Sequence, residues 1–396
     1  MEEKINNSSD FDYFMGYKRE NGRAGVRNYV LVIPSVSCAF GTSRMIQEEL
    51  PEVLIVDNQY GCSQIEIDTE RTMVTLSGLA KNPNVAKVLV ISLGCETLSS
   101  SELVERIRKS KKDTELIIIQ EMGGSVRTAK KGIEICRDFL SDTKKMKREE
   151  IQVGELILAT ECGGSDSFSG VSANPALGCA SDILIKKGGT VIISETTEFI
   201  GAEHLLRNRA ISGKVGERIL EIVLRMEKRA LDLGIDIRNS NPVPGNIKGG
   251  ITTIEEKSLG CIYKGGNTNI VEVLEYGCSP TKRGLVIMDT PGNDVESITG
   301  MTAGGAQIVA FTTGRGTPVG SLVAPVIKIS SNSYIFHKMH DNIDVNAGSI
   351  VDGKESIAKV GEKIFRKIID TASGGRTAAE KLNHREFGIN RIGPTF

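Results

Sequence analysis

The sequence predicts an α/β protein made of two Rossmann-like parallel-sheet domains facing a shared cleft. Three observations predict it. Short aliphatic runs alternate with amphipathic stretches along most of the chain. The runs are continuous rather than alternating apolar with polar, as in strands covered by helices on both faces. A charged, apolar-poor segment at 141–150 (SDTKKMKREE) interrupts the alternation, which then resumes.

Residues 1–15 read as an N-terminal tail and 16–143 as the first Rossmann-like domain. Strands are expected at 29–34, 53–57, 88–93 and 116–119, with helices at 41–50, 66–80, 101–111 and 125–140. Residues 150–396 form the second α/β domain, with strands expected at 156–160, 190–194, 285–289 and 308–311. A long helix at 214–233 carries Val215, Ile219, Ile222, Val223 and Met226 on one face. Residues 240–265 are rich in Gly, Pro and Asn and read as a functional loop, because Glu255, Glu256 and Lys257 lie within them. A last amphipathic helix is expected at 355–371.

Composition narrows the function. Lys plus Arg is 49 against 50 for Asp plus Glu, so no whole-chain field attracts nucleic acid or an anionic membrane. The 43 glycines, 5% aromatics and absent Trp suit tight turns around a polar ligand better than a stacking platform. Residues 1–15 lack the apolar segment of a secretory signal, and no apolar run approaches a membrane span. The eight cysteines are therefore read as reduced thiols of a cytoplasmic protein.

In an open parallel sheet, ligands bind beyond the carboxyl ends of the strands. Cys62, Cys95 and Cys162 each follow an aliphatic run and a glycine turn is beside each, so all three could face one crevice. Thiolates suit iron or zinc; the alternative is small buried residues beside glycine turns. The segment 161–170 (ECGGSDSFSG) packs acid, thiol, hydroxyls and glycines together, with Asn174 following ahead of a helix. Lys257 beside two carboxylates is a base, a substrate ligand or a solvated charge. Arg315, set between glycines in FTTGRGTP, is placed to grip a carboxylate in a bidentate way. Arg27 and Asn28 are weaker candidates of the same kind. No GxxxxGK[ST] is present and GxGxxG is missing after the first strand, which speaks against a nucleotide cofactor.

At these residues the chain resembles the altronate and galactarate dehydratase family, which includes the large subunit of (2R)-sulfolactate sulfo-lyase. The matching stretches are GVRNY (25–29), YGCSQ (60–64), LGCE (93–96), ECGGSDSFSG with ANPALG (161–178), GAEHLL (201–206), PGN with GGITTIEEKSLGC (244–261) and FTTGRGTP (311–318). The resemblance implies a metal-dependent hydro-lyase, using Fe2+, an iron–sulfur cluster or another divalent metal, that turns a sugar acid into a 2-keto-3-deoxy acid by β-elimination. The alternative within the family is release of sulfite from sulfolactate; from another class, a non-catalytic subunit. Many sugar-acid dehydratases of the family carry an N-terminal SAF-type domain where this chain has about fifteen residues, so a separate small SAF-domain subunit is the expected partner, besides a homo-oligomer. The resemblance makes Cys62, Cys95 and Cys162 the metal ligands and Glu161 and Lys257 the proton-transfer residues. It assigns Arg27, Asn28, Ser165, Asp166, Asn174 and Arg315 to the substrate.

Overall fold

The structure, a computed structural model, describes residues 11–396. Residues 1–10, part of the expected tail, lie outside the described residues. The tail's remainder is partly strand: β1 (Tyr13–Lys18) pairs antiparallel with β2 (Ala24–Gly25) and with β7 (Glu149–Gln152).

The first large sheet has the order β4-β3-β5-β6, all parallel: β3 (Tyr29–Pro34), β4 (Leu54–Ile55), β5 (Val85–Ser92) and β6 (Asp113–Ile118). Its side chains explain the continuous aliphatic runs. Leu31, Ile33, Val88 and Val90 pack into one buried cluster, and Val30, Val32, Leu89 and Ile91 into another on the opposite face. Alternate residues thus enter two different cores.

The second sheet has seven parallel strands in the order β10-β11-β9-β8-β12-β13-β14. They are β8 (Ile157–Cys162), β9 (Thr190–Ile193), β10 (Ile270–Leu274), β11 (Gly284–Met288), β12 (Ile308–Thr313), β13 (Val326–Ser330) and β14 (Val345–Asn346). The chain turns back at β8, whose neighbours β9 and β12 are reached in opposite directions, and such a switch opens a crevice at the strands' carboxyl ends. Three of these strands were not expected. β13 contains Lys328, which is buried with its ammonium on the Pro318 carbonyl at 3.0 Å, and that charge hides the strand from a hydropathy reading.

One expectation is corrected here. Residues 240–265 are not a loop but carry two short helices, Pro244–Lys248 and Ile254–Ile262. Pro244 sits at a helix start, and Thr253 caps the second helix by accepting from the Glu256 N–H at 3.1 Å. The Gly and Pro signals marked helix boundaries.

The two sheets are joined by buried polar pins. The Asn84 side-chain amide donates to the carbonyls of Gln307 (2.8 Å) and Val323 (2.9 Å), and its oxygen accepts from the Val26 N–H at 2.8 Å. Asn82 donates to Thr302 (2.8 Å) and Ala306 (2.9 Å). At Gly78 a Cβ would lie 2.5 Å from the Ala303 carbonyl oxygen, so helix Glu66–Lys81 presses directly on helix Asp294–Ala303.

Arg27 and Asn28 serve this frame and not the substrate. Arg27 grips Glu380 with two bonds of 2.7 and 2.8 Å and also donates to the carbonyls of Val26, Thr371 and Gly375. Asn28 accepts from Arg19 at 2.8 Å and donates to Thr143 at 3.0 Å. Burial opposes ionisation of Glu380, but the Arg27 and Thr377 hydrogen bonds outweigh it and hold the carboxyl below its usual range. We expect Arg27→Ala to cost about 3–5 kcal/mol in denaturant unfolding, because a buried carboxylate loses its partner. A carboxylate depressed in the folded state contributes fully above its unfolded pKa and loses that contribution as pH falls through the folded value. The gap between wild type and Arg27→Ala should accordingly narrow in acid; a gap unchanged there would show that the pair is not its source.

Candidate active site

Three neighbouring strand ends and one further helix build the site. β8 ends in Glu161 and Cys162. β9 runs into Ser194 and Glu195, then a short helix, Thr196–Phe199, that carries Glu198. Beyond β11, helix Asp294–Ala303 presents Asp294 and Ser297. Helix Ile254–Ile262 brings Lys257 and Cys261, and the turn after it brings Lys264. Glu195 holds a left-handed conformation (φ 70°), which a side chain adopts only when its surroundings compel it.

These groups interlock in the interior. Lys264, fully buried, contacts Glu195 and donates to the Cys261 sulfur at 3.0 Å. Lys257 pairs with Glu198 at 2.7 Å. Glu195 also accepts from the Cys162 N–H at 3.1 Å, and Glu161 accepts from Ser297 at 2.8 Å. Gly163 permits the crowding, since a Cβ there would lie 2.4 Å from Asp294 Oδ2.

Charge is out of balance. Glu161, Glu195, Glu198 and Asp294 are four carboxylates set against two ammonium groups, Lys257 and Lys264. Burial drives Glu161 up to about 8 and Asp294 up to about 6, and it drives Glu195 upward as well. Burial opposes charge on Lys264, but Cys261, Glu195, Glu161 and Glu198 outweigh it and keep the ammonium protonated. The same balance, with Glu198 as main partner, raises Lys257. Its hydrogen bond with Cys261 brings Cys162 down to about 6.

Three oxygens of this cluster, Glu161 Oε1, Glu195 Oε1 and Glu198 Oε2, are buried without any hydrogen-bond partner. An orphaned buried carboxylate oxygen is costly. Two sets of donor atoms lie within 4.8 Å of one another: Glu195, Glu198 and Cys261, and Glu161, Glu195 and Asp294. Oxygen-rich donors with one thiol suit a divalent ion of borderline hardness, and its two charges match the carboxylate excess.

Beside the cluster opens a cavity of ≈ 220 Å³ lined by Cys162, Ser165, Asp166, Asn174, Lys257 and Tyr263, among others. Past Asp166 it adjoins a cleft of ≈ 680 Å³ that carries Lys248, Arg315 and Lys338. Ser165 lies 3.0 Å from the Cys162 sulfur. Asn174 donates to the Gly260 carbonyl at 2.9 Å and accepts from Thr312 at 2.6 Å. Asp166 accepts from Ser169, Ser331 and Asn332, so its carboxylate shapes the wall.

The expected metal trio does not converge. Cys62 and Cys95 are exposed at the first sheet, whereas Cys162 is buried at the second. Among the described residues no donor set within 4.8 Å joins them. Glu161 and Lys257 do fall in one cluster. Sequence reasoning missed Glu195, Glu198, Cys261, Lys264 and Asp294. The signal for two of them was present, because Glu195 directly follows the aliphatic run 190–194 and Glu198 comes three residues later, much as Cys162 comes soon after 156–160.

The family model for the C-terminal part of D-galactarate/altronate dehydratase matches residues 153–395, and that for the second domain of D-galactarate dehydratase/altronate hydrolase matches 16–144. The chain is 36% identical to an altronate dehydratase of Bacillus subtilis, over 96% of this chain and 78% of that protein. It is 38% identical to the L-threo-forming galactarate dehydratase of Escherichia coli, over 91% and 73%. It is 35% identical to the (2R)-sulfolactate sulfo-lyase subunit beta of Chromohalobacter salexigens, over 96% and 97%.

If the orphaned oxygens receive a cation, Glu198→Gln should weaken divalent-metal binding at least tenfold in equilibrium dialysis, in line with the roughly 10–100-fold losses seen even for groups behind the ligands. Glu256→Gln, which alters an exposed group at the cavity rim bonded to Thr252 and none of these donors, should bind the metal as wild type does. Equal affinity in wild type and Glu198→Gln would remove the carboxylates from the metal site.

Proposed function

The chain belongs to the D-galactarate/altronate dehydratase family of lyases, and on that premise we propose that it is a metal-dependent hydro-lyase that dehydrates a sugar acid, such as altronate or galactarate, to a 2-keto-3-deoxy acid. The observation that carries the reading is the group of partnerless carboxylate oxygens beside a cavity into which Ser165, Asp166, Asn174 and Lys257 are set.

Glu195, Glu198, Cys261, Glu161 and Asp294 would hold the ion, iron in this reading. When bound it would act as a Lewis acid, stabilising the charge that develops on the substrate carboxylate. The remaining chemistry belongs to side chains lining the cavity. The hydrogen on the carbon beside the carboxylate is weakly acidic, so its removal needs an ionised base. Cys162 lines the cavity, with Ser165 and the Asn174 amide at its sulfur, and is our choice of base. Lys257, held protonated by Glu198, is a poor base; it suits stabilisation of the enediolate and proton delivery to the departing hydroxide. That hydroxide leaves the adjacent carbon as water, and the enol formed relaxes to the 2-keto acid. This revises the expected roles of Glu161 and Cys162.

Asn174 and Ser165 hold Cys162 within the cavity wall, and the Lys248, Arg315 and Lys338 cleft receives the far end of the chain or its second carboxylate. A small SAF-domain subunit is part of the proposal, as is assembly of several copies; the sulfo-lyase relative is itself named a subunit beta. Among the described residues no helix is long and apolar enough to cross a membrane, and we place the reaction in the cytoplasm.

Anaerobic protein supplied with Fe(II) and the small partner should convert altronate or galactarate to a 2-keto-3-deoxy acid; sulfite from sulfolactate with no sugar-acid turnover would replace this reading by the sulfo-lyase one. Lys257→Met should lower kcat by at least about 10²-fold, the scale of general acid–base catalysis. Cys162→Ser should lose exchange of the substrate α-hydrogen with deuterated water; retained exchange would exclude the thiolate as base. Arg315→Ala should raise KM by roughly 10–100-fold, as expected for a charged hydrogen bond worth about 1.5–3 kcal/mol.

A further inference from the structure

Lys328 is a buried charge that the chemistry above does not use. It stands in the middle of β13, and among the described residues its ammonium has one hydrogen-bond acceptor, the Pro318 carbonyl at 3.0 Å. An uncharged side chain of similar shape would avoid the cost of taking that charge out of water. What the contact holds is therefore the question.

The carbonyl belongs to the loop that carries Arg315. At the front of that loop, the N–H groups of Gly314 and Arg315 donate to the Gly164 carbonyl at 3.1 and 2.9 Å, and the Gly314 carbonyl accepts from Asn332 at 2.8 Å. At the rear, the Pro318 carbonyl accepts from Lys328 and also from His384, whose Nδ1 lies 2.6 Å away. A carbonyl oxygen only accepts, so this second contact requires the hydrogen on Nδ1. Pro318 has no N–H, so the fold can hold that residue's backbone only through its carbonyl. Arg315 lines the larger cleft, and among the described residues no hydrogen bond or ion pair engages its guanidinium. Its aim is set by the backbone of its loop.

The charge on Lys328 is conditional. Burial lowers it to about 8, against the pull of Asp344 and Glu386. The neighbouring strands β12 and β14 carry no titratable side chain. Helix Ala378–Lys381 packs on β13, but Arg27 engages its Glu380 and its Lys381 is exposed, as are His337 and Lys338 on the helix that follows β13. The ammonium is thus present below about pH 8 and lost above it.

We propose that Lys328 and His384 are positioning residues, which clamp the Pro318 carbonyl and so set where Arg315 meets the far end of the substrate. The proposal rests on Arg315 as a substrate-gripping residue.

Kinetics of the assembled enzyme with altronate or galactarate test it. Lys328→Met should raise KM at least roughly fivefold, part of the roughly 10–100-fold expected of Arg315→Ala, and leave kcat little changed. Wild-type KM should climb above about pH 8, whereas that of Lys328→Met should be high and flat and that of Lys328→Arg low and flat. His384→Ala should raise KM as well, and His384→Asn, which keeps a donor, should restore it. Hydrogen exchange of the amides at 314–317 needs no substrate and should be faster in Lys328→Met and His384→Ala than in wild type. If Lys328→Met does not fold, His384→Ala, a change at a partly exposed residue, carries both readouts. A raised KM in Arg315→Ala with wild-type KM and exchange in the clamp variants would overturn the proposal alone. An unchanged KM in Arg315→Ala would overturn the role of Arg315 and the proposal with it. Should neither sugar acid turn over, the lyase reading fails, and exchange at wild-type rates in both variants would still remove the clamp.

Discussion

An ammonium group with no access to water is a severe demand on a fold, and Lys264 makes it. The charge survives only because Glu195 and the Cys261 sulfur touch it and Glu161 and Glu198 stand behind them. Those carboxylates reach it from different strand ends, so β8, β9 and the turn at 263–265 must keep their places for the charge to be tolerated. Removing any one partner leaves another charge exposed to a poorly polarisable interior. The left-handed backbone at Glu195 is a local cost of meeting this demand.

The carboxylates overshoot the need. Lys264 and Lys257 together neutralise two of the four, and the rest of the negative charge is either protonated or matched by a cation from outside. That surplus turns a solution to burial into a site. Helix Asp294–Ala303 and helix Ile254–Ile262 each close in on the segment after β8 because glycines line it, Gly163 against the Asp294 carboxylate and Gly170 against Gly260, where backbone meets backbone. Side chains larger than hydrogen at these points would push apart the walls that hold the charges.

Much of the fold was legible because parallel strands covered on both faces leave an unmistakable aliphatic run, as at 29–34 and 308–311. Strands that break that rule were not: β10 includes a glutamate, β13 hides Lys328, and β14 spans two residues. The site was legible where a motif was dense, at 161–170, and where one charged residue lay near others, at Lys257. It was not legible where partners come from remote segments. Lys264 looks like any surface lysine until Cys261, Glu195 and Glu161 surround it. Arg27 resembled a carboxylate-gripping residue, and it does grip one, but the carboxylate is Glu380, 353 positions along the chain. Residue type announced the chemistry in that case and sequence could not identify the partner.

The asparagine pins between the sheets have a consequence for how the molecule opens. Many two-sheet enzymes admit substrate by swinging one half against the other about a hinge. Here Asn82 and Asn84 each close two buried hydrogen bonds across the junction, and Leu322 and Val323 sit within the first sheet's own core. Rotation would strip all of these at once. The outer wall at Pro244–Lys248, where Val243 and Ile247 face solvent, is tied down too: buried Asn246 donates to the Ser165 carbonyl at 3.0 Å, so any movement of that wall is transmitted to Ser165 and through it to the Cys162 sulfur.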